Sequence, residues 1–131
     1  MRCFPELTLG TDVPAWVTKS TFYETFDQTD FFIREIHDVE DAYLGEWFYE
    51  ENGETRFLLP TVGLVAGRTQ FINGRHRTAV LLRHLDELPI AFAVDHLDAI
   101  ARGIIGAIPK RPLNLTQHIF LPDLPVKARL P

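Results

Sequence analysis

The sequence predicts a single α/β domain of the α+β kind, in which a small mixed sheet packs against helices. The chain has 131 residues, 46% of them hydrophobic and 24% charged, which is enough apolar material for one core. Short β-rich runs are interspersed with runs in which apolar residues recur at helical spacing. Five of the nine prolines follow residue 108. We therefore assign residues 1–108 to the domain and residues 109–131 to a proline-rich C-terminal tail packed on it.

The first part of the chain predicts a short strand, a loop and a long helix. Residues 6–10 alternate between polar and apolar and then meet a glycine, which predicts a strand. Residues 12–18 predict a loop that packs Trp16 against the core. Apolar residues spaced by three or four over residues 30–51 predict an amphipathic helix, which Asn52 and Gly53 would end.

The middle of the chain predicts a β-hairpin and a buried helix. Residues 57–65 and 69–72 are rich in β-forming residues and flank a turn. Pro60 confines the first arm to a sheet edge or delays its start to Thr61, because proline cannot donate to a strand ladder. Residues 76–86 are apolar around much of the helical circumference, which predicts a largely buried helix.

The last third predicts a strand, a helix and one more short strand. Pro89 opens a strand over residues 90–94, and Asp95 caps a helix that continues through Arg102. In the tail, residues 113–121 are expected to add a strand centred on residues 118–120.

The most informative segment is the predicted strand, glycine turn and helix at residues 69–85. The first N–H groups of a helix have no intrahelical partners and carry partial positive charge, and glycine lets an anion approach the backbone. Three cationic or potentially cationic side chains follow Gly74, an unfavourable arrangement at a helix start unless an anion neutralises them. The pattern predicts a phosphate site formed by Asn73, Gly74, Arg75, His76, Arg77 and Thr78.

A purely structural role for these residues is the alternative. In it, the arginines pair with acidic side chains, and His76 is a partly buried packing residue. Candidate acids are Glu46, Glu50 and Asp95.

The run Ile-Asn-Gly-Arg-His-Arg-Thr-Ala at residues 72–79 resembles the signature of the ParB/sulfiredoxin-like superfamily. Members carry a Gly-x-His-Arg or Gly-x-Arg-Arg turn between a strand and a helix, and this turn binds nucleotide phosphates. The resemblance covers roughly residues 59–94. It implies that Gly74 is the close-approach glycine, that His76 and Arg77 hold phosphate, and that Thr78 supplies a hydroxyl donor.

Two differences from known members limit which kind of member this chain resembles. Sulfiredoxins place a catalytic cysteine directly before the His-Arg pair, where this chain has Arg75, and its only cysteine is Cys3. Reduction of sulfinic acids by that mechanism is therefore excluded. Chromosome-partitioning members add a helix-turn-helix domain, for which 131 residues leave no room. In size the chain is similar to the small stand-alone members, above all the fertility-inhibition proteins of conjugative plasmids.

The resemblance and the turn together predict a nucleotide- or phosphate-binding protein that hydrolyses ATP or cuts nucleic acid in plasmid or phage biology. Glu46 and Glu50 are candidates for a general base, and His76 is the third catalytic candidate. Mg²⁺ carried in with the nucleotide is the expected cofactor, because Mg²⁺ needs only one or two carboxylates besides phosphate oxygens. His37 and Asp41 lie four residues apart, but no second element completes a dedicated metal site.

The alternative function is a non-enzymatic interaction or inhibitor protein that contacts a protein partner through the acidic helix and the C-terminal tail. A net charge of −5 argues against broad attraction to nucleic acid, although the local basic turn keeps DNA open as a ligand. No apolar run approaches the length of about 20 residues that crosses a bilayer. With one cysteine and no signal-peptide stretch, the chain is expected to be cytoplasmic, without a membrane partner.

Overall fold

The computed structural model describes residues 1–8, 10–25, 47–65, 68–103, 109–121 and 127–128. Three helices lie in these residues, α1 Lys19–Thr25, α2 Arg75–His84 and α3 Val94–Ala101. The strands are β1 Arg2–Glu6, β2 Val13–Thr18, β3 Phe48–Glu51, β4 Glu54–Leu58, β5 Thr61–Val65, β6 Arg68–Asn73, β7 Glu87–Phe92, β8 Arg111–Pro112, β9 Ile119–Phe120 and β10 Lys127–Ala128. None of the described helices is long and apolar enough to span a bilayer.

The described strands form two mixed sheets of five strands each. The first sheet has the order β10-β3-β4-β1-β9, and the second has the order β6-β5-β7-β2-β8. Strands β1 and β4, β3 and β10, and β5 and β7 pair in parallel, whereas the other neighbours are antiparallel. The predicted α+β class is confirmed, with two small mixed sheets in place of one.

The chain passes from the first sheet to the second through Leu59 and Pro60. The Leu59 N–H donates to the Glu6 carbonyl at 2.9 Å, and the Pro60 carbonyl accepts from the Ala91 N–H at 2.9 Å. This link therefore bonds to β1 of the first sheet and to β7 of the second. Strand β5 begins at Thr61, as Pro60 predicted.

The core is built from the inward positions of both sheets and from α2. Ala79, Val80, Leu81 and Leu82 of α2 are all buried, which confirms the predicted burial of this helix, while Arg83 and His84 at its end are exposed. The largest buried side chains contributed by the sheets are Phe48, Phe57, Leu88, Ile90 and Phe92.

Two predictions for the N-terminal part are wrong. Residues 12–18 do not form a loop, because Val13–Thr18 is β2 and pairs with β7 over six residues. Pro14 is tolerated there since its carbonyl still accepts from the Leu113 N–H, and Ala15 and Val17 face the core. The strand expected at residues 6–10 lies earlier, at Arg2–Glu6, where buried Cys3 pairs with Ile119.

The helix predicted over residues 30–51 is wrong at its end. Phe48–Glu51 is strand β3, and it pairs with β4 in an antiparallel hairpin. Asn52 and Gly53 have φ values of 52° and 77°, so they form the two-residue hairpin turn that such residues favour, and do not end a helix. Residues 30–46 of the predicted helix lie outside the described residues.

Helix α1 and strand β8 were not predicted, whereas other elements follow the predictions. Strands β5 and β6 form the expected antiparallel hairpin. The predicted strand and helix after Pro89 are present as β7 and α3, each beginning slightly earlier than predicted. In the C-terminal tail, Ile119–Phe120 forms the expected strand and pairs with β1, and Lys127–Ala128 pairs with β3.

We predict that Cys3 makes stability depend on alkaline pH. Its side chain is fully buried, and burial raises the pKa of the thiol from 9.0 to about 12. Between these values the unfolded chain has lost the thiol proton while the folded chain keeps it. The free energy of unfolding should therefore fall as pH rises from 9 to 12, by up to about 1.4 kcal/mol per pH unit.

Urea unfolding of the wild type and of Cys3→Ala at several pH values from 8 to 11 tests this. All other titrating groups should change the free energy of unfolding equally in the two proteins. The difference between their pH profiles therefore reports the contribution of the Cys3 thiol. Parallel pH profiles for the two proteins would contradict the prediction.

Candidate functional site

The predicted turn lies between β6 and α2. Asn73 ends β6 and pairs with Thr61 of β5, and α2 begins at Arg75. Gly74 stands between them with φ 96° and ψ 27°, a left-handed conformation that side chains other than glycine rarely adopt. No side chain caps the start of α2, a helix of ten residues. The local geometry is thus a strand, a glycine turn and an open helix start.

Gly74 is required by protein atoms that pack against it. A Cβ at this position would lie 2.7 Å from Pro60 Cβ, 2.8 Å from Pro60 Cα and 3.0 Å from Arg77 Nη2. The turn therefore rests directly on the link between the two sheets. It also rests on the side chain of Arg77, which folds back from the first turn of α2.

Arg77 is the largest fully buried side chain in the described part of the chain. Its Nη1 donates to the carbonyl of Leu58, at the end of β4, at 2.5 Å. Its guanidinium carbon lies 3.9 Å from the centre of the Trp47 ring, in a cation–π contact. The Nε and Nη2 atoms have no hydrogen-bond partner among the residues that the structure describes.

Within the described part of the chain, no carboxylate forms an ion pair with Arg77. Glu50 and Asp95, two of the acids expected to pair with it in the structural alternative, make no ion pair with it. Glu46, the third, lies outside the described residues. Burial lowers the pKa of the guanidinium to about 10, so the group is still cationic at neutral pH.

The two unpartnered nitrogens lie side by side on one edge of the guanidinium. Nε and Nη2 carry parallel N–H bonds, which form the fork that binds two oxygens of a carboxylate or phosphate. Nη1 is bonded to Leu58, and the face of the group is covered by Trp47. Arg77 is thus held in place while its bidentate edge remains unused.

Thr78, the predicted hydroxyl donor, uses its hydroxyl within the helix. The side chain is fully buried, and Oγ1 donates to the Gly74 carbonyl at 2.9 Å. The same carbonyl accepts from the Thr78 backbone N–H at 3.0 Å. These two bonds fasten the turn to α2, so in this state the Thr78 hydroxyl proton is committed to Gly74.

The other predicted site residues are only partly brought together. Arg75 and His76 occupy the first two positions of α2, and their side chains, like that of Asn73, lie outside the described part of the structure. Glu50 is exposed on β3, three residues beyond Trp47. His37 and Asp41, like Glu46, fall outside the described residues. Among the described residues, no three His, Cys, Asp or Glu side chains cluster as metal ligands would.

Neither partner of Arg77 is predicted as a site residue from the sequence. Trp47 is expected in a helix and Leu58 in a strand, and neither residue carries a local signal that it will contact an arginine far along the chain. Thr61 is buried beside Pro60, and its Oγ1 has no hydrogen-bond partner within the described residues.

A separate cleft of about 480 Å³ lies where α1 begins and β7 starts. None of its lining residues belongs to the turn. Glu87 receives hydrogen bonds there from Lys110, at 2.6 Å, and from Arg111, and these bonds lower the pKa of its carboxyl. The lining residues are Thr18, Lys19, Ser20, Tyr23, Asp86, Glu87 and Lys110.

No protein-family model matches this chain, and neither a curated protein nor a solved structure matches it. The resemblance to the ParB/sulfiredoxin-like superfamily therefore rests on residues 72–79 and on their setting between a strand and a helix. Membership of that superfamily stays a prediction.

We predict that Gly74→Ala destabilises the fold much more than a matched glycine substitution. Alanine at Gly74 would be strained at φ 96° and would also collide with Pro60, so the free energy of unfolding should fall by about 3 kcal/mol or more. Gly103 has a similar φ of 90°, but nothing lies within 4 Å of its Cβ position. Gly103→Ala should therefore cost only about 1 kcal/mol in the same urea experiment.

Equal losses for the two alanine variants would show that backbone strain alone accounts for the effect and that the contact with Pro60 can relax.

We predict that methionine replaces Arg77 with a much smaller loss of stability than alanine does. Arg77→Ala leaves a cavity under the turn and should lower the free energy of unfolding by about 3 kcal/mol. Arg77→Met keeps most of the packing against Trp47 and removes a desolvated charge, so it should cost about 1 kcal/mol or less. Urea unfolding at pH 7 measures both, and equal losses would contradict the packing argument.

Proposed function

We propose that this protein binds a phosphate group, carried by a nucleotide, at the turn between β6 and α2. The observation that carries the proposal is the buried guanidinium of Arg77, which no described carboxylate neutralises and whose bidentate edge has no partner among the described residues. The Nη2 atom of this edge lies 3.0 Å from the Cβ position of Gly74, and Gly74 stands at the uncapped start of α2.

The energetics of Arg77 favour an anionic ligand. Removing a cation from water costs several kcal/mol even after the protein has relaxed around it. One hydrogen bond to a neutral carbonyl and one aromatic face recover only part of that cost. An oxyanion on the Nε and Nη2 edge would supply two charge-assisted hydrogen bonds and neutralise the group.

The start of α2 provides further donors on the same side of the turn. The first intrahelical bond is that of the Thr78 N–H to the Gly74 carbonyl, so the backbone N–H groups of Arg75, His76 and Arg77 precede it. These groups carry the positive end of the helix dipole. A phosphate that enters at the turn would be bound by the backbone donors and by the arginine edge. Because Arg77 is closed to solvent here, ligand binding has to open the turn locally.

The resemblance of residues 72–79 to the nucleotide-binding turn of ParB/sulfiredoxin-like proteins supports a nucleotide as the source of the phosphate. Mg²⁺ would then arrive with the nucleotide, held mainly by phosphate oxygens. Glu50 is exposed on β3, three residues beyond Trp47, whereas Arg77 is fully buried. Hydrolysis of ATP, or cleavage of nucleic acid, in plasmid or phage biology stays a prediction.

One observation favours the alternative of an interaction or inhibitor protein. Phe120, in the C-terminal tail, is 70% exposed on strand β9. This side chain is open to contact in the segment where that alternative places a partner. In it, Arg77 serves only the packing of the two sheets.

We predict saturable binding of ATP, CTP or ADP, or of a short single-stranded DNA, with Arg77→Met weakening it by at least about tenfold. That loss corresponds to removing one charge-assisted hydrogen bond or more. Calorimetric titration at pH 7, with and without Mg²⁺, measures the affinity. Arg102→Met is the matched control, since Arg102 is exposed beyond the end of α3 and its removal should leave binding unchanged.

If the folded wild-type protein gives no binding heat with any of these ligands, the phosphate-binding proposal is wrong. The alternative of an interaction or inhibitor protein then remains. Equal weakening by Arg77→Met and Arg102→Met would assign binding to general surface charge and not to the turn.

A further inference from the structure

Trp47 and the carbonyl of Leu58 constrain the guanidinium of Arg77 in two different directions. The guanidinium carbon lies over the indole ring, 3.9 Å from the ring centre, and this contact holds the group against the ring. The Leu58 carbonyl accepts from Nη1 and fixes the rotation of the group within its own plane. With both contacts made, the direction of the Nε and Nη2 edge is set.

The two constraints are themselves tied together. The Leu58 N–H donates to the Trp47 carbonyl at 3.2 Å, so the backbones of the two residues are bonded neighbours at the edge of the β3–β4 hairpin. Arg77, in contrast, belongs to α2 and follows the second sheet. We call Trp47 and Leu58 the arginine clamp. The arginine clamp belongs to the first sheet, and it holds a side chain of α2, which follows the second sheet.

An aromatic face is well suited to hold an arginine that must bind a ligand. A carboxylate would occupy N–H groups of the guanidinium and neutralise its charge. The indole face attracts the cation without occupying any N–H group, since the attraction is to the ring quadrupole. The clamp therefore fixes Arg77 without occupying its bidentate edge or neutralising its charge.

We infer that Trp47 is a positioning residue for an oxyanion that binds side-on to Arg77, with two of its oxygens on Nε and Nη2. The inference rests on the proposed function and adds the ligand geometry and the residue that sets it. The class of ligand is a phosphoryl group with two free oxygens, such as the terminal group of a nucleotide or of inorganic pyrophosphate. Trp47 does not touch the ligand, and it acts through the orientation of Arg77.

Titration of inorganic pyrophosphate and ATP into the whole chain tests the clamp by comparing two replacements of Trp47. Trp47→Phe keeps an aromatic face and should bind within about threefold of wild type. Trp47→Leu fills much of the same space without that face and should bind about tenfold more weakly, because ligand binding then has to order a guanidinium that the ring no longer holds. Rescue by phenylalanine but not by leucine is an effect that loss of packing alone would not produce.

Trp16 provides the matched control. It also lies under an arginine, with the Arg111 guanidinium carbon 5.0 Å from its ring centre, but on β2 and away from the turn. Trp16→Leu should leave both affinities unchanged. A Trp16→Phe chain makes Trp47 the only tryptophan, and its fluorescence should change as pyrophosphate saturates the site, because the cation stacked on the ring is neutralised.

The outcomes separate the clamp from the proposed function. If the wild type binds, either of two results overturns the clamp alone. In the first, Trp47→Leu binds as tightly as the wild type does. In the second, Trp47→Phe loses as much affinity as Trp47→Leu. Unchanged Trp47 fluorescence at calorimetric saturation does the same, and it is measured without altering Trp47. If wild type and all variants fail to bind either probe, both the phosphate site and the clamp are overturned.

Discussion

The buried guanidinium of Arg77 joins the two sheets at one point. The residue belongs to α2, which continues from the second sheet, yet its contacts are Leu58 and Trp47 of the first. Because these contacts are a carbonyl and an aromatic ring, the charge is held in place without a carboxylate from the described residues to neutralise it. Such a group lowers the stability of the fold by its desolvation, and the apolar side chains around it have to offset that cost.

The glycine turn, the link between the sheets and the arginine form one packed unit. Gly74 takes a left-handed conformation, and its missing side chain leaves room for both Pro60 and the Arg77 edge. Thr78 fastens the turn to the helix through two bonds to the Gly74 carbonyl. The atoms that would bind a phosphate are therefore also atoms that hold the fold. Strain and unsatisfied polar groups are tolerated at such places when function uses them.

Local signals in the sequence predicted the elements around the turn well. Pro60 predicted the start of β5, the apolar run after Gly74 predicted α2, and the glycine predicted the turn itself. The errors fell where the decisive contacts are distant. Residues 12–18 form a strand because β7 pairs with them from about 75 positions later in the chain. Phe48–Glu51 forms a strand because it closes a hairpin on β4, although its apolar spacing also fits a helix.

The sequence by itself determined that a glycine turn followed by basic residues would stand between a strand and a helix. It also determined the cluster of basic residues at the helix start, which an anion would neutralise. The turn and the cluster both depend on neighbouring residues alone. Only the tertiary structure decided that Arg77 turns inward, that Leu58 and Trp47 hold it, and that one edge of its guanidinium is left unused. Leu58 lies 19 residues before Arg77, and Trp47 lies further away still. The direction of a long side chain is set by contacts of this range, and local sequence does not encode them.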